Sequence, residues 1–394
     1  MDMLMLGVGI GFDTKGSDRV MIRKPVDRTT KYIIDDCREG WVLAFIDLVH
    51  SYTLHPEYGR FSYDFSEIRP SGTPIKGFGG EASGPGELEK LLFRVDEFFG
   101  SMVGRRMNSV DITDLMNMVG KCVVAGNVRR SAEIAFGFPD DIEYRSMKNP
   151  VRDLNAEETD KFYKNSVFSD IGMDYTDVGA QTAANGEPGY IWLDNMRDYG
   201  RMKDGRQPGI DGRVMGSNPC VEQTLESYEL CNLVETFPSL HENEDDYMRT
   251  IKYAYMYGKT VTLLPTHNNR TNQVMLRNRR IGLSQSGIVQ GMEKFGRRRY
   301  LQNFCDAAYS EIRRWDDIYS EWLACRESIK VTSVKPSGTV SLLAGVAPGV
   351  HFPEARSYWR RMRINKNHSL VRILSEAGYH IEPSVTDPDN TIVV

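Results

Sequence analysis

The stretch SNPCVEQTLESYELCN, residues 217–232, places two thiols, an amide and a carboxylate close together. Asn218 and Glu222 flank Cys220 at minus two and plus two, and Cys231 follows eleven residues on. An amide, a thiol and a carboxylate at alternate positions can serve one face of a substrate if the loop is extended, because alternate residues then point the same way. Use of a cysteine as a conventional nucleophile calls for a histidine base, and the nearest histidine in sequence is His241. Zinc needs a second thiol or imidazole pair at short spacing. The chain contains no C-x-x-C, so no metal site is expected. Buried, inert cysteine is the plain alternative, and Cys220 and Cys231 taken alone leave it open.

A second stretch, SVKPSGTVSLLAG (333–345), reads as strand, tight turn and helix. Pro336, Ser337, Gly338 and Thr339 would then set two hydroxyls and free backbone N–H groups at the positive end of a helix, an arrangement suited to phosphate. An ordinary N-cap accounts for the same residues. In GNVRRSAE (126–133), Arg129 and Arg130 follow Gly126 in a turn. Paired arginines suit phosphate or carboxylate, although a solvated basic turn has the same composition. GVGIGF (7–12) is not the G-x-G-x-x-G of dinucleotide sites. Its glycines at 7, 9 and 11 fall on one face of a predicted strand, where they would admit a neighbouring backbone.

The elements that must position these groups alternate between strand and helix, which predicts an α/β fold. Residues 4–12 read as a buried strand, and 38–54 as an amphipathic helix with Trp41, Leu43, Phe45, Ile46, Leu48, Val49 and Tyr52 mostly on one side. Residues 69–86 form a long Gly/Pro-rich loop, and 86–102 a helix. Residues 111–126 read as a helix running toward a strand, 125–137 as a basic turn then a strand, and 189–194 as a short strand. Residues 244–263 and 298–325 are helical by periodicity.

Composition narrows the class. The formal net charge is −5 with both signs interspersed, so neither nucleic acid nor a membrane surface is an expected partner. No apolar run reaches the roughly 18 residues of a membrane span. Six cysteines in 394 residues do not make a disulfide scaffold, and a reducing, cytoplasmic compartment is the default.

Together, NPCVE, the second cysteine followed by NL, and PSGT resemble the ribonucleotide reductases. REGWVLA, SEIRPSGTPIKGFGGEASGP, VVAGNVRRSAEIA, NGEPG, NRRIGLSQSG and ESIKVTSVKPSGTV look like the same family in the same order. The likeness is greatest to the adenosylcobalamin-dependent, class II ribonucleoside-triphosphate reductases, and it extends over nearly the whole chain. It implies a ten-stranded α/β barrel with a central finger loop, as one catalytic domain over 1–394. Cys220 would carry a thiyl radical that takes the 3′-hydrogen of a ribonucleotide. Glu222 would be the general base for the 3′-hydroxyl, Asn218 would bind a ribose hydroxyl, and Cys231 would be one of two reducing thiols. Pro336, Ser337, Gly338 and Thr339, with Ser217, would hold substrate phosphates. Gly72, Lys76, Gly79, Gly80 and Ser83 resemble the first specificity loop, and Gly126, Asn127, Arg129 and Arg130 the second. The implied partners are a ribonucleoside triphosphate, a deoxynucleotide effector and a dithiol reductant such as thioredoxin, with adenosylcobalamin as cofactor.

The chain also departs from the pattern. The family's first reducing cysteine lies on a strand that would precede Met1, and Cys122 reads as structural. Residues 17–37 are shorter than an insertion found in some monomeric members. The sequence stops at NTIVV, ahead of the barrel's closing portion and the tail cysteines. These departures predict a barrel incomplete at both ends and completed by complementary reductase segments. A class I catalytic subunit with a metal-containing radical partner, or a nucleotide-binding remnant without activity, are the alternatives.

Overall fold

Apolar runs and helical periodicities resolve into a mixed α/β architecture in the computed structural model, which describes residues 1–54, 59–75, 81–125, 132–148, 164–170, 172–353, 355–385, 388 and 391–394. The chain divides into two compact units, Met1–Ile191 with Trp359–Val394, and Trp192–Tyr358.

The first unit holds strands β1 (Ile10–Asp13), β2 (Val26–Ile33), β3 (Gly59–Asp64), β4 (Glu133–Gly137), β5 (Lys164–Phe168) and β6 (Gly189–Ile191). A parallel sheet runs in the order β1-β4-β5-β6, and β2 pairs in parallel with β3. Parallel neighbours need crossover connections, and the helices Arg38–Thr53, Gly86–Ser101 and Ser109–Val124 lie between β1 and β4 in sequence. β4 is buried along its whole length, as an inner parallel strand should be. In Gly86–Ser101, Leu88, Leu91, Leu92, Val95 and Phe99 recur at helical spacing and pack with Ala44, Leu48 and Tyr52. Asn108 and Asp111 close a reciprocal capping box on the helix that follows. In the tail, Arg363–Asn365 and Glu382–Pro383 flank Thr391–Val393 as antiparallel strands.

The second unit begins with a minimal hairpin, β7 (Gly216–Ser217) against β8 (Thr224–Leu225). β9 (Leu233–Thr236) and β10 (Gly282–Gln285) then pair in parallel, and a bridge from Leu283 to Thr332 extends the sheet by one chain. One face of this sheet packs on Glu244–Val261 and Ala308–Trp322 through Tyr247, Ile251, Leu283, Phe304 and Ile312. Beneath that core, Lys259 and Asp316 form a fully buried ion pair at 2.7 Å. Tyr255, Ser328 and the Arg326 carbonyl complete its hydrogen bonds.

Four sequence expectations change. The segment 4–12 is not one strand: Asp2–Met5 is a helical turn that buries Leu4 and Met5, and β1 starts only at Ile10. Gly7 has φ 82°, so the chain turns there, and of the three glycines only Gly11 lies in the strand. The helix at 111–126 runs without a strand to Val124. In Arg38–Thr53 the buried face is Gly40, Ala44, Leu48, Ser51 and Tyr52, and Leu43 is 50% exposed. GYIWLD is strand only to Ile191, after which a helix begins at Leu193. The described strands do not trace a closed ten-stranded barrel.

Removing one member of a buried ion pair leaves an uncompensated charge, at a cost of about 3–5 kcal/mol. Lys259→Met is therefore expected to destabilise the protein by that order in urea unfolding. Adding Asp316→Leu should recover much of the loss, whereas equal stability of Lys259→Met and wild type would show the pair to be solvated.

Candidate active site

The site is built on the β7–β8 hairpin, whose loop carries Asn218, Cys220 and Glu222. Asn218 to Val221 form a tight turn, with Val221 N–H donating to the Asn218 carbonyl at 2.9 Å and Pro219 at the second position, where its fixed φ suits the turn. Val221 sits at φ 63°, a left-handed conformation that a β-branched residue adopts only under constraint. The constraint is visible: Asn218 Oδ1 accepts from Gln223 N at 3.1 Å, and Ser217 Oγ donates to the Asn218 carbonyl at 3.0 Å. The loop is thus curled rather than extended, which corrects the alternation premise. Asn218 is buried and shapes the turn, while Cys220 is exposed at its tip. Ser217, expected to bind phosphate, has its hydroxyl engaged inside the hairpin.

Past the turn, the chain is anchored to the segment that bridges β10 at Thr332. Ser333 Oγ donates to the Glu222 carbonyl at 2.8 Å, and Lys335 Nζ donates to Glu222 Oε1 at 2.8 Å. The Glu222 side chain is 1% exposed, and its Oε2 is buried with no partner among the described residues. Burial works against the charge on Lys335, but the Glu222 hydrogen bond and carboxylate outweigh it and hold its pKa above the ordinary lysine value. The Cys231 thiol is pushed up to about 12, first by burial and then by the negative charge of Glu222, with Cys220 adding to the effect and Lys335 and Arg280 opposing it. The structure therefore brings Cys220, Glu222 and Cys231 into one electrostatic neighbourhood. Lys335 and Ser333 belong to it and were not singled out in the sequence, although Lys335 directly precedes the PSGT motif.

A buried ionic frame fixes the hairpin. Arg280 donates to both carboxylate oxygens of Asp211 at 2.7 and 2.8 Å, and to both of Glu229 at 2.9 and 3.1 Å. It also donates to Thr224 Oγ1 at 2.9 Å, and Lys330 Nζ reaches the same hydroxyl at 2.8 Å. Burial alone would raise the Asp211 pKa, but Arg280 and Lys330 bring it below the usual carboxylate value. At Gly282 a Cβ would lie 2.0 Å from Gln223 Nε2 and 2.6 Å from Leu233 Cδ2, so a side chain there would have to displace both from their places under the loop. A cavity of about 780 Å³ in this unit, lined by Arg213, Arg313 and Arg326 among others, opens beside Asp211 and Lys330 and includes neither cysteine.

The PSGT segment is tied in by Gly349 N–H donating to the Pro336 carbonyl at 2.8 Å and Lys335 N–H to Ser284 Oγ at 3.3 Å. Its helix, Val340–Leu343, is one turn with no side-chain cap at Thr339, and no regular strand precedes it. A single turn adds little dipole, so the helix-terminus argument weakens. A Cβ at Gly338 would meet nothing within 4 Å, so packing does not demand glycine there. Ser337, at φ 52°, and Ser341 each hold a buried hydroxyl with no partner among the described residues.

Of the expected specificity-loop residues, Lys76, Gly79, Gly80, Gly126, Asn127, Arg129 and Arg130 lie outside the described residues. Gly72 and Ser83 belong to the first unit. Gly72 has φ 86°, and its N–H donates to the Ala82 carbonyl at 2.9 Å while Pro74 bridges Glu81, which pairs the two arms of the loop. Ser83 lines a small cavity with Trp41 and Cys122. Cys122 is buried, as expected for a structural thiol, and all six cysteines are unpaired with one another.

With a pKa of about 12, Cys231 is about one part in ten thousand thiolate at pH 8. Iodoacetamide at pH 8 should label exposed Cys37 and leave Cys231 nearly unmodified, as read by peptide mass spectrometry. Glu222→Gln should speed Cys231 labelling, because the lost negative charge lowers its pKa. An unchanged rate would remove Glu222 from the surroundings of that thiol.

The family model for the B12-dependent ribonucleotide reductase insertion domain matches residues 13–99, a span that takes in 17–37. A Dictyostelium discoideum protein named a probable adenosylcobalamin-dependent ribonucleoside-triphosphate reductase is 47% identical over all of this chain and 54% of its own length. The Euglena gracilis adenosylcobalamin-dependent ribonucleoside-triphosphate reductase is 46% identical, with the same coverage. The crystal structure of a B12-dependent (class II) ribonucleotide reductase superposes with a TM-score of 0.81 at 31% identity, covering 100% of this chain and 62% of that one. The chain thus spans about half the length of the curated relatives it matches. In sequence and in fold, these 394 residues are similar along their whole length to the class II, B12-dependent ribonucleotide reductases.

Proposed function

We propose that this chain carries the radical and reducing centre of a ribonucleoside-triphosphate reductase, which replaces the 2′-hydroxyl of a ribonucleotide by hydrogen to make DNA precursors. The observation that carries the reading is Glu222. It is a buried carboxylate with one oxygen fixed by Lys335 and the other unpartnered, within electrostatic reach of two thiols. A base poised for one substrate hydroxyl has this form.

Cys220 takes the 3′-hydrogen as a thiyl and returns it at the end. Glu222 accepts the 3′-hydroxyl proton through Oε2, with Lys335 holding the carboxylate in place. The 2′-oxygen leaves as water. Cys231 and a second thiol supply the two electrons and close to a disulfide, which an external dithiol such as thioredoxin reduces. The raised pKa of Cys231 keeps it a proton-bearing thiol, the form that can give hydrogen as well as electrons. Asn218, besides shaping the turn, borders the ribose. Ser337 and Ser341 offer their buried hydroxyls to the phosphates, beside Pro336, Gly338 and Thr339.

Adenosylcobalamin supplies the initiating carbon-centred radical when bound. Cys220 fits as its target, since its thiol is exposed at the tip of a rigidly tied turn. The relatives' names favour this cofactor over the metal-containing partner of class I. In the full assembly we place the hairpin as the finger of a ten-stranded barrel, one catalytic domain over 1–394. Complementary segments would contribute the second reducing thiol, and a deoxynucleotide effector would act through the loops at 69–85 and 125–131.

The test supplies the chain with the complementary segments, adenosylcobalamin, a ribonucleoside triphosphate, a deoxynucleotide and a dithiol. Electron paramagnetic resonance should show a radical signal that Cys220→Ser abolishes. Cys231→Ser should keep the signal but stop multiple turnovers. Absence of any signal from wild type would sink the class II reading, and normal turnover by Cys231→Ser would remove that residue from the reducing pair.

A further inference from the structure

On β9 and β10 the register pairs Leu233 with Gly282 and Glu235 with Ser284, so these four residues share one face of the sheet. Val234, on the opposite face, packs toward the core with Leu283. Gln223 of the hairpin rests on the first face at Gly282. Glu235 therefore lies on the same floor as the thiol site, farther toward the carboxyl ends of the strands. Its Oε1 accepts from the buried Ser286 Oγ at 2.5 Å, and its Oε2 is buried with no partner among the described residues. Glu222 and Glu235 are thus two half-satisfied carboxylates on one surface.

The ladder reaches back to Asn232, whose carbonyl accepts from Gly282 N at 2.8 Å. Cys231 lies just before β9, and Glu235 is the third residue of that strand. Four residues of chain span at most about 14 Å, so Glu235 stands beyond Cys231 in the direction a triphosphate would take from a sugar held at the thiols. The unpartnered hydroxyls of Ser239, Ser337 and Ser341 gather at the same end. Ser239 Oγ and Val346 both crowd Gly287, and Val346 N–H donates to the Ser341 carbonyl at 3.1 Å.

An open carboxylate beside phosphates is repulsive unless a cation lies between them. Lys335 is engaged by Glu222, and Lys294 donates to the carbonyls of Ser239 and His241. Among the described residues no group of three His, Cys, Asp or Glu side chains could hold an ion unaided. Magnesium, however, is commonly held by one or two carboxylates together with substrate phosphates.

We propose that Glu235, oriented by Ser286, receives a divalent cation that arrives on the terminal phosphates of the nucleotide. This rests on the substrate reading above. The ion makes the triphosphate end part of what the site recognises, while the sugar end is read by Cys220, Glu222 and Cys231.

The experiment is equilibrium binding of ATP to the full chain by isothermal titration calorimetry, in MgCl2 and in EDTA. Wild type should bind more tightly with Mg²⁺. Glu235→Gln keeps the size of the side chain and an acceptor for Ser286. It should weaken binding in Mg²⁺ by about tenfold, the factor corresponding to about 1.4 kcal/mol, and leave affinity in EDTA unchanged or improved. Ser286→Ala should reduce the Mg²⁺-dependent part in the same sense. Ser337→Ala should weaken binding in both conditions and so reports on the phosphate site itself. If Ser337→Ala weakens binding but Glu235→Gln does not, the cation site falls and the phosphate site stands. If Ser337→Ala has no effect, or wild type binds no ATP, the phosphate site falls and the cation site with it.

Discussion

The hairpin that carries Asn218, Cys220 and Glu222 stands on one guanidinium. Two strands of two residues each cannot hold a loop by their own ladder, since even a full isolated hairpin is only marginally stable in water. Arg280 supplies the missing constraint. It grips Asp211 before the hairpin and Glu229 after it, each through both carboxylate oxygens, while its own backbone leads into β10. The planar fork makes this geometry specific in a way a lysine could not reproduce. With Lys330 present the cluster holds two positive and two negative groups, so its burial leaves no net charge uncompensated. A buried pair of this kind contributes less to net stability than to choosing one arrangement. Here the arrangement chosen is the register of the loop on the sheet.

That register explains why the working groups come from distant parts of the chain. Glu222 from the hairpin meets Lys335 from the third chain of the sheet, and Cys231 enters just ahead of β9 on the other side of β10. None of these residues is placed by its own local structure. Each is fixed by the frame, and the electrostatics follow: desolvation of the half-buried Cys231 raises its pKa first, the Glu222 carboxylate raises it further, and the Lys335 ammonium limits the rise.

Much of this was legible in the sequence, and unevenly so. The long helices could be read from periodicity alone, because Leu88, Leu91, Leu92, Val95 and Phe99 encode a buried stripe whatever their partners. Cys220, Glu222 and Cys231 stood out by spacing and by resemblance. Arg280, Asp211, Glu229 and Lys335 did not, because a charged residue that will be buried looks like one that will be solvated until its partner is known. The N-terminal apolar run misled because periodicity cannot separate a short buried strand from a short buried helix. The curled form of the loop was hidden too, since nothing local announces that Val221 will take a left-handed conformation.

Gly282 governs how closely the hairpin approaches the sheet. With no side chain at that position, the Gln223 amide reaches the backbone of β10, only 2.0 Å from where a Cβ would stand. A side chain at 282 would have to push aside the Gln223 amide, Leu233 or Ser333, and with them the underside of the loop that carries Cys220. The missing methyl group thus works as a spacer of zero thickness, and it sets the height of the hairpin above the sheet.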